Sequence, residues 1–113
     1  MQIIIVGCGN VGTTLTEQLS KEGHNITVVD RDAKKAESVA NRFDVMGVVG
    51  NGASFTVQNE AGIEAADLMI AVTTSDELNL LCCLIARKAG GCNTIARVRN
   101  PIYIKEITYI KEE

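Results

Sequence analysis

Compact apolar runs and amphipathic stretches alternate along the chain from its first residues onward. The runs are Ile3-Ile4-Ile5-Val6, Ile26-Thr27-Val28-Val29, Val45-Met46-Gly47-Val48-Val49 and Leu68-Met69-Ile70-Ala71-Val72, and between them apolar residues recur at helical spacing. The runs read as strands and the stretches as helices. The first strand spans Gln2–Val6, and the first helix runs from about Val11 to Glu22, with Val11, Leu15 and Leu19 four apart on one face. Gly23-His24-Asn25 stops that helix, and His24 is a turn residue. The strand Ile26–Asp30 follows, then a helix from Ala33 to about Arg42 capped by Asp32, and the strand Val45–Val49. Gly50-Asn51-Gly52-Ala53 is a loop leading to a helix over Ser54–Ala61, which ends at Gly62. The fourth strand covers Asp67–Val72. Thr73-Thr74-Ser75-Asp76-Glu77 opens a helix to about Ala89, with Leu78, Leu81, Leu84 and Ile85 at helical spacing. After Gly90-Gly91 comes a fifth strand, Thr94–Val98, and Pro101 starts a last helix carrying Tyr103, Ile107 and Ile110.

Strands joined by helices through right-handed crossovers predict an α/β fold. It is a doubly wound, Rossmann-like parallel sheet of about five strands in the order 3-2-1-4-5, with helices on both faces. Residues 1–113 form one domain, without internal repeat or linker. The chain ends on a helix where a further strand is expected, as in a lone module or a piece of a longer protein.

The chemistry begins where the first strand meets its helix, at Gly7-Cys8-Gly9-Asn10-Val11-Gly12. A glycine triplet alone is weak evidence. Here it follows a strand and opens an amphipathic helix, and Asp30 closes the next strand eighteen residues past Gly12. That combination predicts a mononucleotide-binding βαβ unit. Phosphates would sit on the unpaired N–H groups at the helix start.

Ligands of an open parallel sheet bind beyond the carboxyl ends of its strands, which selects the remaining candidates. Asp30 can accept both ribose hydroxyls and would repel a 2′-phosphate, which disfavours NADP. Arg31 can stack on adenine or simply be exposed. Asn51 can bond the adenine edge, or serve only its Gly-Asn-Gly turn. Thr73 and Thr74 follow the fourth strand, and Thr74-x-x-Glu77 fits a capping box that would occupy Glu77. Of Arg97 and Arg99, Arg97 is the favoured phosphate partner.

Composition narrows the function. The chain is 46% hydrophobic and 4% aromatic, without Trp, which suits an aliphatic core under parallel strands. A formal charge of −3 gives no basic field, so nucleic acid is not expected as a partner. No apolar run approaches the roughly 20 residues of a spanning helix and no signal peptide is expected, so a membrane role would be peripheral, without insertion. Cys8, Cys82, Cys83 and Cys92 form no C-x-x-C pair and accompany a single histidine, so no metal site is expected and a reducing compartment is. Cys8 has a competing reading as a redox sensor, because a helix N-terminus can lower a thiol pKa. There is no G-x-S-x-G elbow and no Walker lysine, and no acid–base pair can be built on His24. No catalytic residue is assigned, and the nucleotide reads as a signal.

Longer segments carry a family resemblance over essentially the whole chain. They are Glu60-Ala61-Gly62-Ile63-Glu64-Ala65-Ala66-Asp67, Ala71-Val72-Thr73-Thr74-Ser75-Asp76-Glu77 and Ile95-Ala96-Arg97-Val98-Arg99-Asn100-Pro101, beside the glycine loop and Ile26–Asp30. With these the chain resembles the N-terminal nucleotide-binding domains of the TrkA type, the family that regulates potassium conductance. The resemblance implies a cytoplasmic module, peripheral at the inner face of the membrane. It would bind NAD(H) or ATP/ADP, assemble as a dimer or higher ring, and gate a membrane potassium transporter subunit. It implies nucleotide contacts at Gly7, Cys8, Gly9, Asn10, Val11, Asp30, Thr73, Thr74 and Arg97. The chain departs from the family at Gly50-Asn51-Gly52-Ala53, where many relatives carry Gly-Asp-Ala. The competing reading is the cofactor-binding half of an NAD-dependent oxidoreductase.

Overall fold

The computed structural model describes residues 1–103, and the expected positions of Ile107 and Ile110 lie outside the described residues. Five strands, β1 (Gln2–Val6), β2 (Asn25–Asp30), β3 (Met46–Val49), β4 (Leu68–Ala71) and β5 (Asn93–Ala96), form one sheet in the order β3-β2-β1-β4-β5. Every neighbouring pair is parallel, with Ile5 opposite Val28 on one side and Ile70 on the other. This is the expected fold and strand order.

Helices α1 (Asn10–Lys21) and α2 (Ala33–Phe43) cover one face. Helices α3 (Phe55–Glu60) and α4 (Asp76–Gly90), with a one-turn 3₁₀ helix at Ile63–Ala65, cover the other. The alternation of β1 divides its side chains between two cores. Ile3 and Ile5 join Val28, Val39 and Ile70 under α1 and α2, whereas Ile4 and Val6 join Met69, Ile63, Cys82 and Ala86 under α4. A strand buried on both faces needs a continuous apolar run, which explains its composition.

The seam of α1 differs from the expected Val11-Leu15-Leu19 stripe. Gly12 and Thr16 are its buried residues, Leu15 and Leu19 pack half-buried beside them, and Val11 is exposed. The reason is the distance of approach. A Cβ on Gly12 would lie 1.7 Å from the Gly7 carbonyl oxygen, so small residues centre the contact and the leucines flank it.

The caps follow the expected chemistry with one correction. The Asp32 carboxylate accepts from the N–H groups of Lys34 and Lys35 at the start of α2. At the start of α4 the cap is Ser75, whose hydroxyl accepts from Leu78 N–H, so the capping box on Thr74 does not form. The Thr73 hydroxyl accepts from Ser75 N–H within the loop, and Asp76 is the first helical residue. Strand β5 stops at Ala96, so Arg97 and Arg99 stand beyond its end.

Gly12→Ala is expected to destabilise the fold by about 3 kcal/mol or more, because backbone must move. Gly9→Ala, with no atom within 4 Å of its added Cβ, is expected to cost about 1 kcal/mol or less, the cost of alanine at a helix N-cap. Urea denaturation of the two variants checks this, and near-equal stabilities would contradict the packing argument.

Candidate functional site

The carboxyl ends of the strands open into a cavity of about 570 Å³. Gly7, Gly9, Asn10 and Val11 line it from the β1–α1 turn, and Asp30 and Arg31 from the end of β2. Thr73 and Thr74 come from the end of β4, and Arg97 from beyond β5. The expected residues at the ends of four strands therefore meet around one space.

Its floor is backbone. Gly7 takes φ +112°, and a Cβ there would meet the main chain of Val72 and Thr73 at 3.0 Å. Gly9 is the N-cap of α1 and offers no side-chain cap. The first N–H groups of the helix therefore lack an intrahelical partner and carry the positive end of its dipole. Beside them the space next to Gly9 is open. A pyrophosphate fits such a floor, since its oxygens need N–H donors and no intervening Cβ.

The walls add charge. Among the described residues, the ionisable ones lining the cavity are Asp30, Arg31, Lys35, Arg97 and Arg99. Cations outnumber the carboxylate in a protein whose formal charge is −3. Lys35 and Arg99 were not among the expected contacts. Lys35 stands on the turn of helix that Asp32 caps, a position the sequence marks only as an exposed face.

Asp30 is held before any ligand arrives. Its Oδ2 accepts from Cys8 N–H at 2.8 Å and its Oδ1 from Asp32 N–H at 2.8 Å. Each oxygen retains lone-pair capacity for a ribose hydroxyl. The same carboxylate thus ties the glycine loop to the end of β2.

Two expected contacts lie elsewhere. The Cys8 side chain turns away from the cavity and joins the core under α1 and α2, leaving only its main chain in the loop. Asn51 is absent from the lining, and its Oδ1 accepts from Ala53 N–H at 2.9 Å to close its own turn. The flanking Gly50 and Gly52 face the cavity in its place.

Thr73 lines the cavity, but its donors are spent. Its N–H and hydroxyl both donate to Asn79 Oδ1, at 2.8 and 2.6 Å. Arg99 donates from its guanidinium to the Thr74 carbonyl, and its N–H donates to Asp76. The N–H groups of Asn100 and Arg99 hold the Asp76 carboxyl below the usual carboxylate range. Glu77 is lowered as well, first by its own N–H and then by the Tyr103 hydroxyl at 2.9 Å.

Two buried polar residues escaped the sequence reading. Gln58 donates from Nε2 to the carbonyls of Gly52 and Cys82, fixing the loop after β3 against α4. Asn79 is fully buried and joins Thr73 to Arg97. Both lie at ordinary helical positions, so the sequence marks them only as polar residues in helices.

Among the described residues no cluster of His, Cys, Asp or Glu is placed to hold a metal, and no helix is long and apolar enough to cross a membrane.

The family model described as TrkA-N domain matches residues 3–111. The chain is 45% identical over 105 residues to the Trk system potassium uptake protein TrkA of Halomonas elongata, covering 92% of this chain and 23% of that protein. It spans about a quarter of the length of that relative. Among solved structures, the TrkA-N domain of the inner membrane protein ybaL from Escherichia coli superposes with a TM-score of 0.85 at 25% identity, over 98% of this chain and 80% of that one. The GsuK channel bound to NAD shares the fold, with a TM-score of 0.81 at 24% identity over 96% of this chain and 20% of that one.

Burial pushes the Cys8 and Cys82 thiols up to about 12 and Cys83 to about 11, and it raises Cys92 as well. At pH 8 a thiol with a pKa of about 12 is ionised in roughly one molecule in ten thousand. All four free cysteines are therefore expected to resist a disulfide reagent at pH 8 in the native protein and to react promptly in denaturant. A fast native reaction mapped to Cys8 would restore its redox reading.

Proposed function

This chain belongs to the TrkA-N domain family, and we propose that it is a nucleotide-binding regulatory domain that gates a membrane potassium uptake system. The observation that carries the reading is the cationic cavity at the strand ends, built on an uncapped helix N-terminus in an otherwise acidic protein. An anion is drawn there by both dipole and charge. Asp30 would accept ribose hydroxyls, the N–H groups from Gly9 to Gly12 would receive the pyrophosphate, and Arg97 would neutralise negative charge farther along the ligand. Arg31 stands at the adenosine end beside Asp30.

These groups suit NAD(H) and ATP/ADP alike, since both present adenosine and a pyrophosphate. The carboxylate among them, Asp30, is engaged with the N–H groups of Cys8 and Asp32 and is read as a ribose acceptor, which suits a ligand that is bound and released unchanged. Gating results if the nucleotide packs differently in two arrangements of neighbouring domains, because a ligand shifts an equilibrium only by its differential affinity. A shift from 1:99 to 99:1 needs about 5.5 kcal/mol, which is more readily shared among several copies in a ring than drawn from one site. The domain would act from the cytoplasmic face of the membrane, through a homo-oligomer docked on the transporter subunit.

The test is potassium flux through the cognate membrane subunit, reconstituted with the full-length parent protein and with its Gly9→Val form. A Cβ at Gly9 meets nothing within 4 Å, so the branched side chain of Gly9→Val enters the open space beside the helix start. NAD(H) or ATP/ADP is expected to change flux with the unaltered protein, whereas the variant stays folded, shows no calorimetric binding and gives no response. Flux indifferent to every nucleotide, or steady oxidation of a substrate at the expense of the nucleotide, would overturn the regulatory reading.

A further inference from the structure

The cavity has two ends of different construction. At the Asp30 end the contacts come from a strand terminus and a glycine loop held by that carboxylate. At the Arg97 end the cationic side chain belongs to a residue one position beyond the last residue of an edge strand. Asp30 and Arg97 follow strands three positions apart in the sheet, a separation of about 14 Å at the usual strand spacing. A ribose at Asp30 therefore leaves Arg97 to the groups beyond the first phosphate.

One buried side chain holds that end together. Asn79, on the first turn of α4, accepts the Thr73 N–H and hydroxyl on Oδ1. Its Nδ2 donates to the Thr73 carbonyl at 3.2 Å and to the Arg97 carbonyl at 2.9 Å. Both donors and both acceptor sites of the amide are used, as a fully buried amide requires. Arg97 N–H in turn donates to the Ala71 carbonyl at 2.9 Å. The Arg97 main chain is thus gripped from both sides, by β4 through its N–H and by Asn79 through its carbonyl.

We propose that Asn79 is the positioning residue for the distal half of the cavity, fixing the Arg97 main chain so that its guanidinium meets the part of the nucleotide beyond the first phosphate. This rests on the nucleotide reading above and adds a division of labour to it. Through Asn79 the residue Thr73, beyond β4, is joined to Arg97, the residue after β5. Asn79 itself touches no ligand.

The experiment compares calorimetric affinities for AMP and NADH in the unaltered protein and in Asn79→Asp. The carboxylate keeps the acceptor for Thr73 and replaces the amide donor that holds Arg97 with an oxygen. NADH affinity is expected to fall about tenfold relative to AMP affinity. Equal losses for the two ligands, or no loss for either, would overturn the proposal and leave the nucleotide reading standing. Failure of the unaltered protein to bind either ligand would overturn both. If Asn79→Asp does not fold, amide hydrogen exchange of the unaltered protein decides. NADH is expected to slow exchange at Thr73 N–H several-fold more than saturating AMP does, and equal protection by the two ligands would overturn the proposal.

Discussion

Helix α1 lies against the β1 turn with no side chain between them, and the site is built outward from that contact. The absent Cβ of Gly12 would sit 1.7 Å from the Gly7 carbonyl oxygen, and that of Gly7 would press on the main chain after β4. Three backbone segments therefore converge where a packed side chain would usually intervene. The result is a helix whose free N–H groups open directly onto the point where the strand order reverses. Moving α1 outward by the thickness of a methyl group would change both the packing of Thr16 and the aim of those donors.

Charge is set by the same placement. The protein carries a net negative charge, yet among the described residues the ionisable ones that line the cavity are mainly cationic. The one carboxylate among them, Asp30, is fastened to the main chain of Cys8 and Asp32. It serves the loop before it can serve a ligand. An acid there limits the cavity's attraction for anions and offers an acceptor where a ribose would present hydroxyls.

The parts legible in the sequence were those with local causes. The apolar runs announced the strands, the glycine spacing announced the turn, and Asp32 announced its cap through a contact two residues away. What stayed hidden depended on distances between elements. Leu15 and Leu19 suggested a leucine stripe, but the close approach at Gly12 gave the centre of the seam to small residues. Asn51 looked like a ligand contact because its amide is polar and comes after a strand, whereas its turn consumes the oxygen. Asn79 and Gln58 read as ordinary polar residues in helices. Their burial goes with main-chain carbonyls that the fold brings to them, of Gly52 and the α4 residue Cys82 for Gln58 and of Thr73 and Arg97 for Asn79. A single chain gives no signal for such partners, since the need for them arises only when the loops are in place.

The central claim is that the helix start at Gly9 to Gly12, joined to Asp30, is where a nucleotide phosphate and ribose meet the protein. The most direct measurement is a map of backbone amide chemical shifts during titration of the isotope-labelled protein with NADH and with ATP. The account predicts saturable shifts that are largest at Gly9, Asn10, Val11 and Gly12 and extend to Asp30 and Arg97. Shifts concentrated at the opposite end of the sheet, around His24 and Asp44, or none that saturate, would contradict it.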